Sequence, residues 1–145
     1  MQRLFLVRGL PGSGKSTLGR DLAPAFCFAA DDYFMVGGEY RFVPAHLPAA
    51  HADCQARTRA ALVAGATVAV CNTFTQRWEL EPYLSLARDL NVPCVVLDLF
   101  DGGLTDAELA NRNDHGVSVE TITGMRGRYE RDWWNGNPTP PWERK

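Results

Sequence analysis

Gly9-Leu10-Pro11-Gly12-Ser13-Gly14-Lys15-Ser16 satisfies the spacing G-x-x-x-x-G-K-[S/T], and Thr17 follows it directly. Glycines at these positions let the backbone turn sharply and approach a ligand closely, so that successive N–H groups point at phosphate oxygens. A helix starting near Lys15 adds the positive end of its dipole. In such a loop the Lys15 ammonium reaches the β- and γ-phosphates, and the Ser16 hydroxyl ligates magnesium. Chance alone would produce the pattern in about one chain in two hundred of this size. The flanking residues supply the required context. RLFLVR (residues 3–8) is a short apolar run ending at Gly9, as a buried strand feeding a turn should. Gly12, Ser13, Gly14, Lys15, Ser16 and Thr17 are therefore expected to bind a nucleoside triphosphate, ATP, with Mg2+ on Ser16.

Outward from this loop, strand patterns alternate with helix patterns. A helix is predicted over residues 15–22, stopped by Pro24, then a strand over 26–30 closing on Asp31-Asp32. Residues 33–42, with Gly37-Gly38 in the middle, read as turn and loop. An Ala-rich helix follows over 45–64, with Gly65 where a C-terminal cap belongs. Further strands are predicted over 67–71 and 94–100, with a helix over 79–90 between them. Thr105-Asp106-Ala107-Glu108 has the form of a capping box and opens a helix to about 111. Ser118 can cap a last helix over 119–132. Strands separated by helices imply an α/β fold with a short parallel sheet covered on both faces. Residues 133–145, with three prolines and three tryptophans, are expected to be irregular and packed onto the domain formed by 1–132.

The 145 residues fit one domain, and 46% hydrophobic with 22% charged residues is a normal globular balance. A formal net charge of −2 argues against a non-specific DNA-coating role, while leaving room for a basic cleft. The cysteines at 27, 54, 71 and 94 form no CxxC pair, so neither a disulfide framework nor a metal site is expected. Cys71 reads as a core residue. No signal segment or membrane span is apparent, and the chain reads as cytoplasmic.

Parallel strands converge with their carboxyl ends on a ligand crevice. The second strand would deliver Asp31 or Asp32 there, a carboxylate able to take a proton from an attacking hydroxyl. The third would deliver Cys71, Asn72 and Thr73, with no acid for a magnesium shell. Asn72 could bond a phosphate or simply close the loop. Arg112, Asn113 and His115, between the last two helices, offer an arginine that can close over a γ-phosphate. Arg126, Arg128 and Arg131 carry the same ambiguity between a catalytic and a surface role.

RGLPGSGKSTL, DDYF, NTFTQRWELEPY and RNDHGVSVETITGMRGRYE, in this order, resemble a family of small P-loop kinases of the AAA-type ATP-binding class. The family includes the kinase domain of bacteriophage-type polynucleotide kinases. It also includes the kinase-like domain of a ubiquitin-ligase-binding protein with its bacterial and viral relatives. The resemblance implies an adenylate-kinase-like, three-layer fold with a small helical lid, and an ATP-dependent phosphotransferase. By it, Lys15, Ser16 and Thr17 are phosphate and magnesium ligands, Asp31 is the general base, and Arg112 is a lid arginine that contacts ATP. The implied acceptor is the 5′-hydroxyl of a polynucleotide, with a nucleoside or sugar nucleotide as alternatives, and an ATP-binding module with little turnover as the non-enzymatic one. The pattern departs at Phe34, where the phage-type enzymes carry an arginine, near His115, where they carry a second lid arginine, and at Cys71, where close relatives carry aspartate. His51 and Arg57 also fit the family's long-helix pattern. Six helical positions apart, they stand about 120° from one another around the axis, so neither is carried over as catalytic.

Overall fold

The computed structural model describes residues 1–145. Its centre is a four-stranded parallel sheet of β1 (Leu4–Gly9), β2 (Cys27–Phe28), β5 (Val68–Asn72) and β6 (Cys94–Phe100), in the order β2-β5-β1-β6. The register sets Leu4 opposite both Val68 and Cys94. The sheet is covered on both faces. Leu4, Leu6, Val68 and Val70 point toward α2 (Leu47–Val63) and α3 (Arg77–Asp89), where Cys54, Leu62, Leu80 and Tyr83 complete the main core. The alternate face, including Ala69 and Cys71, takes α1 (Lys15–Leu22), which approaches closely because Gly19 has no side chain. α4 (Asp106–Arg112) and α5 (Val119–Arg128) form a separate small cluster through Leu10, Leu109, Ile122 and Tyr129.

Most predicted caps hold. Thr105 and Glu108 exchange side-chain-to-backbone bonds of 3.1 and 3.2 Å, and Ser118 accepts from the Thr121 N–H. Gly65 (φ 91°) ends α2 in the left-handed conformation, with its N–H on Leu62 and that of Ala66 on Ala61.

Four expectations are corrected. The second strand is two residues long rather than five, because the Asp32 carboxylate accepts the Ala29 N–H at 2.9 Å and turns the chain into a 3-10 turn, Ala30–Phe34. Residues 33–42 are not all loop. β3 (Met35–Val36) and β4 (Glu39–Tyr40) pair antiparallel around Gly37-Gly38, both at positive φ, as a two-residue hairpin turn requires. α5 ends at Arg128 rather than Asp132, since the Glu130 N–H leaves the helix for the Thr75 carbonyl. The tail contains two 3-10 turns, Trp133–Asn135 and Pro141–Glu143. Only Trp133 packs against the core, while Trp134 and Trp142 stay exposed.

The apolar run of β1 hides one charge. Arg8 is fully buried, and each of its five N–H donors has an acceptor. Nε and Nη2 donate to the Phe74 carbonyl (3.0 and 2.7 Å) and Nη2 also to that of Thr75 (3.1 Å). Nη1 serves the Glu130 carbonyl (2.7 Å) and the Asp98 carboxylate (3.3 Å). The guanidinium also lies 4.2 Å from the Tyr129 ring centroid, and the Tyr129 hydroxyl donates to Asp98. One side chain thus ties β1 to β6, to the segment after β5, and to the end of α5.

Candidate active site

The phosphate-binding loop leaves β1 at Gly9 and enters α1 at Lys15. Gly12 (φ 83°) and Gly14 (φ 101°) hold left-handed conformations that other residues adopt only with strain. The Leu10 N–H donates to Phe100 and the Ser13 N–H to Leu10, which fixes the loop against the end of β6. Ser13 Oγ is buried without a partner, a polar atom awaiting an acceptor or donor. Lys15 Nζ folds back 3.1 Å onto the Leu10 carbonyl. Ser16 and Thr17 are exposed at the start of α1. A triphosphate with a divalent ion fits this donor set: backbone N–H groups, one ammonium and two hydroxyls.

Burial lowers the Lys15 pKa to about 8, against opposing fields from Cys71 and Asp31. The turn after β2 carries Asp31 to the same carboxyl edge of the parallel sheet as the loop after β1. The structure separates the two aspartates that the sequence left together. Asp32 caps Ala29 and pairs with Arg57 at 3.3 Å, so it is structural. Asp31 turns the other way: its Oδ1 accepts the Tyr40 hydroxyl at 3.0 Å, and its Oδ2 lies 3.7 Å from His115 Nε2. Tyr40 and His115 also lie ring against ring, with centroids 4.0 Å apart. The connection between α4 and α5 therefore reaches across the crevice to the carboxylate.

Arg57, bonded to Asp53, Asp32 and the Ala29 carbonyl, braces the turn from α2. His51, six residues earlier on α2, is half-buried, and burial lowers its pKa against the fields of Glu79 and Asp31. Phe34 is buried among Tyr33, Tyr40 and Phe42, so no cation stands at that position. Asn72 closes the loop, its Oδ1 accepting the Ala30 N–H at 2.9 Å, while its Nδ2 is buried without a partner.

The lid helices sit directly on the loop. A Cβ added to Gly12 would come within 2.6 Å of the Leu109 carbonyl on α4, so only glycine fits that contact. Arg126 pins α5 to Asp101 and Asp106, both at 2.8 Å, and Arg131 stacks over Phe100, which assigns both to structure. Asn113 braces the connection through three carbonyls and two N–H groups. Arg112 is exposed in the last turn of α4, one turn beyond Leu109. Sequence reasoning missed Tyr40, which had no motif to mark it, and Arg8, hidden within a strand.

A family model described as an AAA domain matches residues 4–131. The chain belongs to that family. The AAA domain is 37% identical over 134 residues to human NEDD4-binding protein 2, covering 88% of this chain but only 8% of that much longer protein. Two solved structures share its fold. A chain of the Pnkp1/Rnl/Hen1 RNA repair complex has a TM-score of 0.68 at 18% identity, covering 88% of this chain and 44% of that one. A sugar kinase from Janibacter sp. HTCC2649 has a TM-score of 0.59 at 16% identity, covering 90% and 79%. The four-stranded parallel sheet flanked by helices is thus the α/β fold that these two structures share. No helix is long and apolar enough to cross a membrane.

The Lys15 environment predicts a pH dependence. A bound triphosphate favours the ammonium, so binding requires protonated Lys15 and affinity falls as pH rises through its free-state pKa near 8. The affinity for a fluorescent ATP analogue is expected to hold at neutral pH and then fall, approaching about tenfold per pH unit above that value. In Lys15→Met it should be weaker throughout and flat across the same range. A flat profile in the unsubstituted protein would contradict this account of Lys15.

Proposed function

We propose that residues 1–132 form an ATP-dependent phosphotransferase, with residues 133–145 an appended strap, and that its acceptor is the 5′-hydroxyl of a polynucleotide. The observation that carries this reading is the Asp31 carboxylate, held by Tyr40 beside His115 in the turn after β2, at the same carboxyl edge of the parallel sheet as the loop after β1. The loop N–H groups from Gly12 to Lys15, the Lys15 ammonium and the Ser16 and Thr17 hydroxyls hold the triphosphate. Mg2+ on Ser16, when bound, neutralises charge between phosphate oxygens. Asp31, held by Tyr40, accepts the proton of the attacking hydroxyl. Arg112 swings from the lid over the γ-phosphate and offsets charge on the group in transfer.

On the acceptor side the surface is aromatic rather than cationic. Tyr33 and Phe42 are exposed beside Phe34, a surface on which the bases of a single-stranded end can stack. The RNA repair complex to which one fold neighbour belongs supports this acceptor, while the sugar kinase supports a smaller hydroxyl compound. The test is transfer of label from γ-labelled ATP to 5′-hydroxyl oligonucleotides.

One observation favours a second reading, a nucleotide-gated binding module. Cys71 is the penultimate residue of β5, where an acid would strengthen the magnesium shell, and Trp134 and Trp142 are exposed and open to a protein partner. Such a module binds ATP without acceptor-dependent release of ADP.

A further inference from the structure

The geometry points to a redox modification site: Cys27 and Cys71 form a reversible disulfide that weakens nucleotide binding at the loop. Their sulfurs lie 3.8 Å apart on neighbouring strands, although the residues are 44 positions apart in the chain. Both line a cavity of about 170 Å³ that opens to solvent beside Ser16, Arg20 and Asp32. A small oxidant therefore has a route to the pair. Cys27 is half-exposed and Cys71 buried, so the first attack falls to Cys27. Hydrogen bonding from Cys71, helped by Arg20 and opposed by burial, brings the Cys27 thiol down to about 7. At the other two thiols burial prevails, at Cys54 even against hydrogen bonding from Tyr83 and Asn72 and the field of Arg57. Burial raises Cys54, and raises Cys94 to about 11.

The chemistry balances with a hydroperoxide as oxidant. The Cys27 thiolate attacks one oxygen of hydrogen peroxide, forming a sulfenic acid and releasing hydroxide. The Cys71 sulfur then attacks the Cys27 sulfur, the S–S bond forms as the S–O bond breaks, and the hydroxyl leaves as water with the thiol proton. In sum, two thiols and one peroxide give one disulfide and two waters, the thiols losing the two electrons that the peroxide gains.

The bond acts on the site through three contacts. Cys71 Sγ lies 3.4 Å from the Lys15 carbonyl. Gly19 of α1 packs on both sulfurs, so closely that an added Cβ would come within 2.3 Å of Cys71 Sγ and 2.8 Å of Cys27 Sγ. Cys27 pairs in register with Ala69, which makes Cys71 its diagonal neighbour. Closing the sulfurs to about 2.05 Å moves both away from their present packing on Gly19 and pulls β2 toward β5. β2 is a two-residue edge strand, the part of the sheet most free to move, and it leads into the turn that carries Asp31. The shift is felt at the start of α1 and at the carboxylate together.

The inference rests on nucleotide binding at the loop and not on phosphoryl transfer, so the two fail separately. The test treats the unsubstituted protein with stoichiometric hydrogen peroxide, counts free thiols with a maleimide and maps peptides without reduction. The expected result is a product two hydrogen atoms lighter, a Cys27–Cys71 linked peptide, and affinity for a fluorescent ATP analogue about tenfold weaker, restored by dithiothreitol. Cys27→Ser should bind the analogue as before and lose its response to peroxide, and Cys71→Ser should fail to form the bond from the other end. Four free thiols after treatment, a bond through Cys54 or Cys94, or a peroxide response surviving in Cys27→Ser would overturn the site. A Cys27–Cys71 bond that leaves affinity unchanged would overturn its coupling to the loop.

Discussion

Asp31→Asn is expected to lower the rate of phosphoryl transfer by about 10²- to 10⁴-fold, the usual contribution of a general base. The substitution is conservative in shape. The side-chain carbonyl of asparagine still accepts the Tyr40 hydroxyl that now lies 3.0 Å from Oδ1, so the turn Ala30–Phe34 should keep its geometry. What disappears is the ability to take a proton and one negative charge near Lys15. ATP affinity should therefore stay the same or rise slightly. Single-turnover transfer and equilibrium binding, measured on one preparation, separate the two effects. Transfer at the unsubstituted rate would remove Asp31 from the reaction. A parallel loss of ATP binding would show that Asp31 supports the fold of the crevice instead.

Arg8→Ala should be the most damaging substitution for stability. It leaves the Phe74, Thr75 and Glu130 carbonyls without their donors beneath a fully buried position and takes one partner from the partly exposed Asp98 carboxylate. Breaking a buried, hydrogen-bonded ion pair from one side costs about 3–5 kcal/mol. That is a large share of the roughly 5–15 kcal/mol that holds an ordinary domain together. Tm should fall by about 10 °C or more. Arg3→Ala, at the exposed start of the same chain segment, should stay within about 0.5 kcal/mol. A melt for Arg8→Ala within a degree or two of the unsubstituted protein would contradict the bracing role. Arg8→Lys should fall between, since an ammonium keeps the charge but has fewer donors than the four acceptors need.

These two residues also mark how far the sequence can be read. The loop was legible because its spacing encodes backbone geometry: Gly12 and Gly14 take the left-handed conformations that the motif demands, in the place it demands them. The order of strands and helices was legible because apolar runs such as TVAVC are short and bounded by turn residues. The caps at Thr105, Ser118 and Gly65 are local chemistry, and local chemistry is written locally. Arg8 was not legible, since an arginine is usually a surface residue and its four acceptors come from three distant segments. Which aspartate faces the crevice was also hidden. Adjacent residues on a strand would point oppositely, but Asp32 bends the strand into a 3-10 turn, and only the fold reveals that Asp31 then meets Tyr40 and His115. The proximity of Cys27 to Cys71 belongs to the same class, set by pairing register rather than by spacing. Asn113 and Arg126 hold the α4–α5 connection and α5 in place, through bonds to distant groups that no motif announced.

The central claim is that ATP bound at the loop gives its γ-phosphoryl group to an acceptor hydroxyl. The most direct measurement incubates the protein with γ-labelled ATP, Mg2+ and 5′-hydroxyl oligonucleotides, both DNA and RNA, beside Lys15→Ala. The account predicts label on the oligonucleotide 5′ end that is lost in the variant. ATP bound without any label transferred, and without acceptor-dependent release of ADP, would contradict it and leave a nucleotide-binding module in its place.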